Sequence, residues 1–313
     1  MKNTVKHPIV SVIMNCFNGE KYLREAIESV YIQIYTNWEI IFWDNASTDQ
    51  SAEIAKNYDD RLRYFKGEKT VTLGCARNLA IEQAKGEYIA FLDCDDIWLP
   101  EKLERQIPLF KNSQVGLVYC DVIQFNHRGY AKPKYGKYSP PQGEVFEAIL
   151  MNNFLCMSTV VLRSEVMKKY QEWFDPLFTV IEDTDLFVRV SRNWEVAYVP
   201  FLGCKYRMHE NSESFSSPML FRQEEEMMVG KFSKIFPEFK NLYESRWKQQ
   251  IERDRAIVEW QHGNGSMARK RVSRFIFRKF KYFMTYLAMF FPYKMAHRIK
   301  LFFSSRAVSN YCL

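Results

Sequence analysis

The chain has no glycine-rich phosphate loop. Its 313 residues include only 12 glycines, and neither G-x-G-x-x-G nor G-x-x-x-x-G-K-[ST] occurs, so neither a dinucleotide fingerprint nor a P-loop is supported. H-E-x-x-H and G-x-S-x-G are missing too, which removes the common zinc-protease and hydrolase signatures. Seven cysteines (positions 16, 75, 94, 120, 156, 204 and 312) stand singly. With no C-x-x-C and an odd count, they read as buried thiols in a reducing compartment, not as zinc ligands or a disulfide framework. No apolar run reaches the roughly 18 residues of a spanning helix. The opening MKNTVKHPIVSVIM is read as carrying no signal peptide, because its apolar run is short and soon meets Asn15. There is no internal repeat and no nucleic-acid-binding module, so no nucleic-acid partner is expected.

One absence is local. No Asp or Glu follows Glu259, while eleven Lys and Arg do. The whole-chain net charge of +7 therefore leaves the part before this tail net acidic. A body that is mildly acidic with a strongly basic tail points to contact with an anionic surface.

What the chain does have is a βα rhythm. The run 9–14, IVSVIM, is apolar and β-branched, as a strand buried on both faces should be. Tyr22, Leu23, Ala26, Ile27, Val30 and Tyr31 then repeat at helical spacing. Residues 38–43 make a second strand, and Ser47, Thr48 or Asp49 is placed to cap a helix reaching about residue 57. A short strand over 61–65, a helix over 74–84 closed by Gly86, and a strand over 87–92 follow. Pro100 opens a helix to about residue 111, and 115–120 is again a strand. This alternation predicts an α/β fold with a mostly parallel sheet flanked by helices. Beyond it, 127–143 reads as a loop, 155–162 as a strand, 182–192 as a helix, and 194–199 and 202–208 as strands. From about residue 221 the pattern becomes helical, then basic and aromatic.

Ligands of parallel α/β sheets bind outside the carboxyl ends of the strands. Three polar clusters fall there: Asn15–Asn18, Asp44–Asp49 and Asp93–Asp96. In FLDCDDIW (91–98) three carboxylates crowd into four positions, where mutual repulsion and burial both oppose ionisation. A hard divalent cation, Mg²⁺ or Mn²⁺, resolves that conflict and brings a phosphorylated ligand with it. Cys94, between Asp93 and Asp95, points into packing. Asp96 orients either its own loop or the following helix. Further on, Glu182, Asp183 and Asp185 open a helix. The helix dipole accounts for two such acids, and a third, aimed into a cleft, is a candidate general base. His209 in YRMHENS is, on position alone, either a metal ligand or a surface histidine.

With these pieces in order, the chain resembles the family 2 glycosyltransferases, inverting enzymes of GT-A fold. SVIMNCFNGEKYLREAIESVYIQIYTNWEIIFWDNASTD is similar to the family's opening, GCARNLAIEQAKGEYIAFLDCDD to its approach to the metal motif, and IEDTDLFVRV to its catalytic-base helix. The resemblance spans about residues 8–215. It implies that Asn15, Cys16, Phe17, Asp44, Arg77, Asp93 and Cys94 bind the nucleotide-sugar. It implies that Asp95, His209 and Asp93 hold Mn²⁺ or Mg²⁺, with Asp95 the direct ligand and Asp93 nearer the ribose and sugar. Asp183 would be the base. The family's frequent Pro-Thr-Tyr-Asn is replaced by Met14–Asn18, and its frequent second acid by Asn45, which leaves the nucleobase open.

The resulting expectation is a catalytic domain over 1–220, with a nucleotide-sugar half to about 120 and an acceptor half after it. A helical, basic-aromatic, membrane-associating region follows over 221–313. The enzyme would move a sugar from a UDP- or dTDP-linked donor to a hydroxyl of a glycan or lipid-linked acceptor, as in O-antigen or capsule synthesis. It would work in the cytoplasm, peripherally on the inner face of the cell membrane, through an anionic membrane surface. A metal-dependent nucleotidyltransferase and a non-catalytic sugar-nucleotide-binding scaffold are the alternatives.

Overall fold

The structure, a computed structural model, describes residues 10–136, 138–168, 170, 173–209, 218–278 and 280–296, without the side chains of Pro218 and Lys281. The tail expectations at Lys279 and beyond residue 296 lie outside the described residues. The chain divides into two compact units, Met1–Ser212 and Glu213–Leu313.

The first unit is α/β. Its strands are β1 (Val10–Cys16), β2 (Trp38–Asp44), β3 (Leu62–Lys66), β4 (Tyr88–Phe91), β5 (Ile97–Trp98), β6 (Val115–Phe125), β7 (Ala131–Pro133), β8 (Val161–Arg163) and β9 (Glu195–Arg207). They form one sheet in the order β3-β2-β1-β4-β8-β6-β9-β5, with β7 beside β6. The first four run parallel to one another, as do β6 and β9, whereas β8 is antiparallel to β4 and β6. The apolar runs read as buried strands are so: Val10, Val12, Met14, Ile40, Ile41 and Phe42 have no exposed surface. Helix α1 (Glu20–Tyr31) lays Leu23, Ala26, Ile27 and Val30 on that core, the face its periodicity predicts. The other helices of this unit are α2 (Ser51–Lys56), α3 (Leu73–Ile81), α4 (Lys102–Gln106), α5 (Phe146–Met151) and α6 (Glu182–Ser191).

Several boundaries differ from the sequence reading, each for a local reason. Helix α3 stops at Ile81, so Gly86 is not its cap. Gly86 instead lets the chain close on β1: its N–H donates to Ser11 Oγ at 2.8 Å, and a Cβ there would sit 2.6 Å from Ser11 N. The helix after Pro100 tightens to 3₁₀ from Ile107 to Lys111. Of the stretch 155–162 only Val161 and Leu162 are strand, in β8; Met157–Thr159 turn in 3₁₀ form, where the N–H and Oγ1 of Thr159 both donate to Cys156 O, a local alternative to a ladder. Two strands expected near 194–199 and 202–208 are one long β9 with a register shift opposite Cys120 and Asp121.

The second unit is helical: α7 (Pro218–Ile235), α8 (Phe239–Leu242), α9 (Glu244–Gln261), α10 (Gly265–Ser273) and α11 (Phe280–Ala288). Phe232, Phe239 and Trp247 pack ring against ring in one part. Ala256, Trp260, Val272, Phe275, Tyr282 and Met289 form its other core cluster.

Candidate active site

β2 and β3 lie to one side of β1 and β4 to the other. The strand order therefore reverses between β1 and β4, the place where open α/β sheets bind ligands at their carboxyl ends. All three polar clusters sit at that edge: Cys16 is level with Asp44 across β1–β2, and Ile13 with Phe91 across β1–β4.

The first two clusters are stitched to each other. Asn18 N donates to Ser47 Oγ (3.0 Å), and Thr48 N donates to Asn18 Oδ1 (2.9 Å). Glu20 N donates to Asp49, and Gln50 N returns a bond to Glu20. Asn18 (φ 52°) and Ala46 (φ 64°) take left-handed backbone, strained for residues with a Cβ and common at functional sites. Asp49 Oδ1 accepts from Ser51 N at 3.0 Å from just outside the helix; the N-cap of α2 is Gln50, so none of the three expected caps holds that position. Asp44 is wholly buried; it accepts from Tyr64 Oη at 2.6 Å and from Ser47 N at 2.7 Å. Burial first, then Asp44, pushes the Tyr64 phenol up, so it stays a donor. Asn45 exchanges two bonds with the Val71 backbone. Asn15 Nδ2 is buried with no hydrogen-bond partner among the described residues, an unmet donor at the carboxyl end of β1. Phe17 is half exposed at the rim (52%). Cys16 is buried and bonded to Ser51 Oγ. Its sulfur and that of Cys94 flank one point, 2.7 and 3.0 Å from where a Gly19 Cβ would stand.

The acidic loop divides its charges. Arg77 reaches up from α3, buried, and donates to Asp93 Oδ1 and to Glu182 Oε1, each at 2.8 Å. Asp95 Oδ2 lies 2.8 Å from His209 Nε2, although 114 positions separate them. Burial and the neighbouring Asp93 push the Asp95 carboxyl above its ordinary value, while His209 opposes that. Asp96 turns inward, buried, and accepts from Arg207 N at 2.9 Å; it ties its own loop to β9.

The acids of α6 divide similarly. Glu182 pairs with Arg77, and Asp185 with Arg189 at 2.8 Å. Asp183 has no salt bridge among the described residues. It remains partly exposed and accepts from Thr184 Oγ1 at 3.1 Å; Asn153 Nδ2 in turn donates to Thr184 Oγ1 at 2.9 Å. Burial raises the Asp183 carboxyl, and the Arg77 cation pulls it back down.

Residues 11–183 match Glycosyl transferase family 2. The chain belongs to that family. A glycosyltransferase of Rickettsia typhi described as uncharacterized is 32% identical over 216 residues, 67% of each chain. The UDP-Glc:alpha-D-GlcNAc-diphosphoundecaprenol beta-1,3-glucosyltransferase of Escherichia coli is 30% identical over 209 residues, 66% of this chain and 79% of that one. Among solved structures, Staphylococcus aureus TarS 1–349 in complex with UDP-GlcNAc superposes with a TM-score of 0.62 at 22% identity, over 78% of this chain and 70% of that chain. The mannosyltransferase PcManGT of Pyrobaculum calidifontis, in complex with GDP-Man and Mn²⁺, gives 0.56 at 15% identity, over 96% and 89%. The fold is GT-A, and this family 2 protein is a glycosyltransferase.

The sequence reading did not single out Glu182 as the partner of Arg77, nor Tyr64, Thr184 and Arg207. Arg207 stands in the quoted YRMH segment, two residues from His209. Glu182 and Thr184 stand in the quoted IEDTD segment, but their partners Arg77 and Asn153 lie 105 and 31 positions away, and Tyr64 meets Asp44 from 20 positions on.

Proposed function

We propose that this glycosyltransferase inverts the anomeric centre of a UDP- or dTDP-linked sugar, with Asp183 as base and a glycan or lipid-linked hydroxyl as acceptor. One observation carries this reading: of the three acids opening α6, two are consumed by arginines and Asp183 is left partly exposed. The acceptor hydroxyl gives its proton to Asp183 while its oxygen attacks the sugar, and the nucleoside diphosphate leaves from the opposite face. Residues to about 120 serve the donor and 121–220 the acceptor. Asn15, Cys16, Phe17 and Asp44 line the nucleobase pocket, and the unmet Asn15 Nδ2 supplies a donor to it. Arg77 aligns Asp93 toward the ribose and sugar.

The donor set fits a hard divalent cation. Asp95 and His209 give one carboxylate and one imidazole, and no third His, Cys, Asp or Glu completes a cage among the described residues. Mg²⁺-type sites commonly use one or two protein ligands and leave the rest for phosphate and water. Asp95 and His209 would hold Mn²⁺ or Mg²⁺, while Asp93 stays with Arg77 at 2.8 Å. A cation held there would supply positive charge to offset that of the leaving diphosphate. A panel of sugar nucleotides with Mn²⁺ checks the reading: one UDP- or dTDP-sugar should release its nucleoside diphosphate, and chelation should stop it. No release from any donor of the panel, with a lipid-linked acceptor supplied, would refute the assignment.

The second unit supports a membrane role at the cytoplasmic face. Phe277, Phe280, Phe290 and Phe291 are exposed by 91, 77, 58 and 51% within a segment rich in Lys and Arg. Among the described residues no helix is long and apolar enough to cross a membrane. Phe280 opens α11 and the other three rings lie in the turns on either side of it; apolar rings beside cations fit an anionic interface, each cation contributing about 1 kcal/mol near such a leaflet. Sedimentation with phosphatidylglycerol-containing vesicles should be strong, weak with pure phosphatidylcholine, and largely lost in Phe277→Asp/Phe280→Asp. Equal sedimentation of that variant would refute the interface.

A further inference from the structure

We propose that Arg207 is a positioning residue for the donor half-site: it clamps the acidic loop so that Asp95 and His209 meet at one point. The inference rests on the cation reading given above. Arg207 ends β9, and its own backbone and side chain both reach the loop. Its N–H donates to Asp96 Oδ1 at 2.9 Å, and its Nε donates to the Asp95 carbonyl at 2.8 Å. Its Nη2 donates to Glu25 Oε2 at 2.5 Å, tying in α1. The guanidinium lies 4.3 Å from the Tyr22 ring centre and 4.7 Å from that of Phe125. The side chain is only 15% exposed.

The arrangement joins four segments: α1, the acidic loop, the end of β6 and β9. Tyr22, under the guanidinium, also faces the His209 ring at 5.5 Å between centres. So one cation sets three things, namely the peptide that carries Asp95, the aromatic wall beside His209, and the end of the strand from which His209 departs. Met208 N donates to Phe125 O at 2.8 Å, which holds the intervening residue in register. The planar fork of arginine addresses a carbonyl and a carboxylate while it lies close to two rings. A lysine carries the charge and lacks that geometry.

A merely structural strut would change stability without changing how a cation is held, and the test separates the two. Binding of UDP and of dTDP is titrated calorimetrically at graded Mn²⁺, and thermal unfolding is followed in parallel, for the full chain and for Arg207→Lys and Glu25→Gln. Arg207→Lys should need at least ~10-fold more Mn²⁺ for half-maximal nucleotide binding, while nucleotide binding without metal and the unfolding midpoint stay near wild type. Glu25→Gln should shift the Mn²⁺ requirement less than about threefold, because Glu25 is exposed (57%) and such pairs are weak. A lysine variant with the wild-type Mn²⁺ requirement overturns the inference alone. So does one that loses thermal stability and keeps that requirement. Wild-type protein that binds nucleotide without any Mn²⁺ dependence overturns the cation reading itself, and the two failures are thereby told apart.

Discussion

Asp183→Asn should bind the sugar nucleotide as wild type does and transfer sugar at least ~10²-fold more slowly, the usual contribution of a positioned base. The substitution is nearly isosteric, and its amide oxygen still accepts the Thr184 Oγ1 bond (3.1 Å in the native protein). The fold should therefore survive and the loss should be chemical. The pH profile gives a second signature. Burial holds the Asp183 carboxyl above its ordinary value, against the pull of Arg77. The working form is the carboxylate, so activity should fall as pH drops through a midpoint above the ~3.9 of a free aspartate. This acid limb should be absent from whatever activity the Asn variant retains. Single-turnover rates with a bound donor, measured from pH 4 to 8 (~0.5-unit steps suffice to place a titration about a unit wide), check both points. Near-normal turnover in the variant would remove Asp183 as base.

Arg77→Met should be the most damaging substitution for stability. Arg77 and Glu182 have side chains 5 and 6% exposed, bonded at 2.8 Å. Deleting one partner of a buried pair costs about 3–5 kcal/mol, because the other charge keeps its desolvation cost. Asp93, the second carboxylate on Arg77, is 36% exposed and adds little to that figure, since water screens it. At 2–4 °C per kcal/mol for a unit of this size, the unfolding midpoint should fall on the order of 10 °C. The double variant Arg77→Met/Glu182→Gln should recover a large part of the loss, because it removes the stranded charge. Donor binding should stay weak in both, since Asp93 is released in both. An unfolding midpoint within about 2 °C of wild type for the single variant would contradict this account.

The α1 face was legible because four apolar side chains recur at helical spacing and the core accepts all of them. The buried strands were legible because a parallel sheet covered on both sides leaves no room for alternation. Gly86 was misread as a helix cap, since a glycine after a helical run has the same local signature whether it ends the helix or admits a neighbouring strand. The strand expected over 155–162 begins only at Val161, because before it Thr159 bonds the Cys156 carbonyl in a turn.

For the site, residue types and order along the chain singled out the crowded Asp93, Asp95 and Asp96 and the surplus of acids opening α6, while the family resemblance pointed to Asp183 and His209. Hard carboxylates after a buried strand, and acids in excess of what a helix dipole needs, are visible in one dimension. How those charges divide is not. Arg77 was placed beside the nucleotide, yet its guanidinium spans Asp93 and Glu182, 105 positions from the latter. Asp95 meets His209 and not Asp93, and Asp96 faces Arg207. Such choices depend on which side chains converge when distant strands close into one sheet. An ion pair formed across a hundred residues has no periodicity and no local propensity to reveal it, so its partners emerge only when the chain is folded.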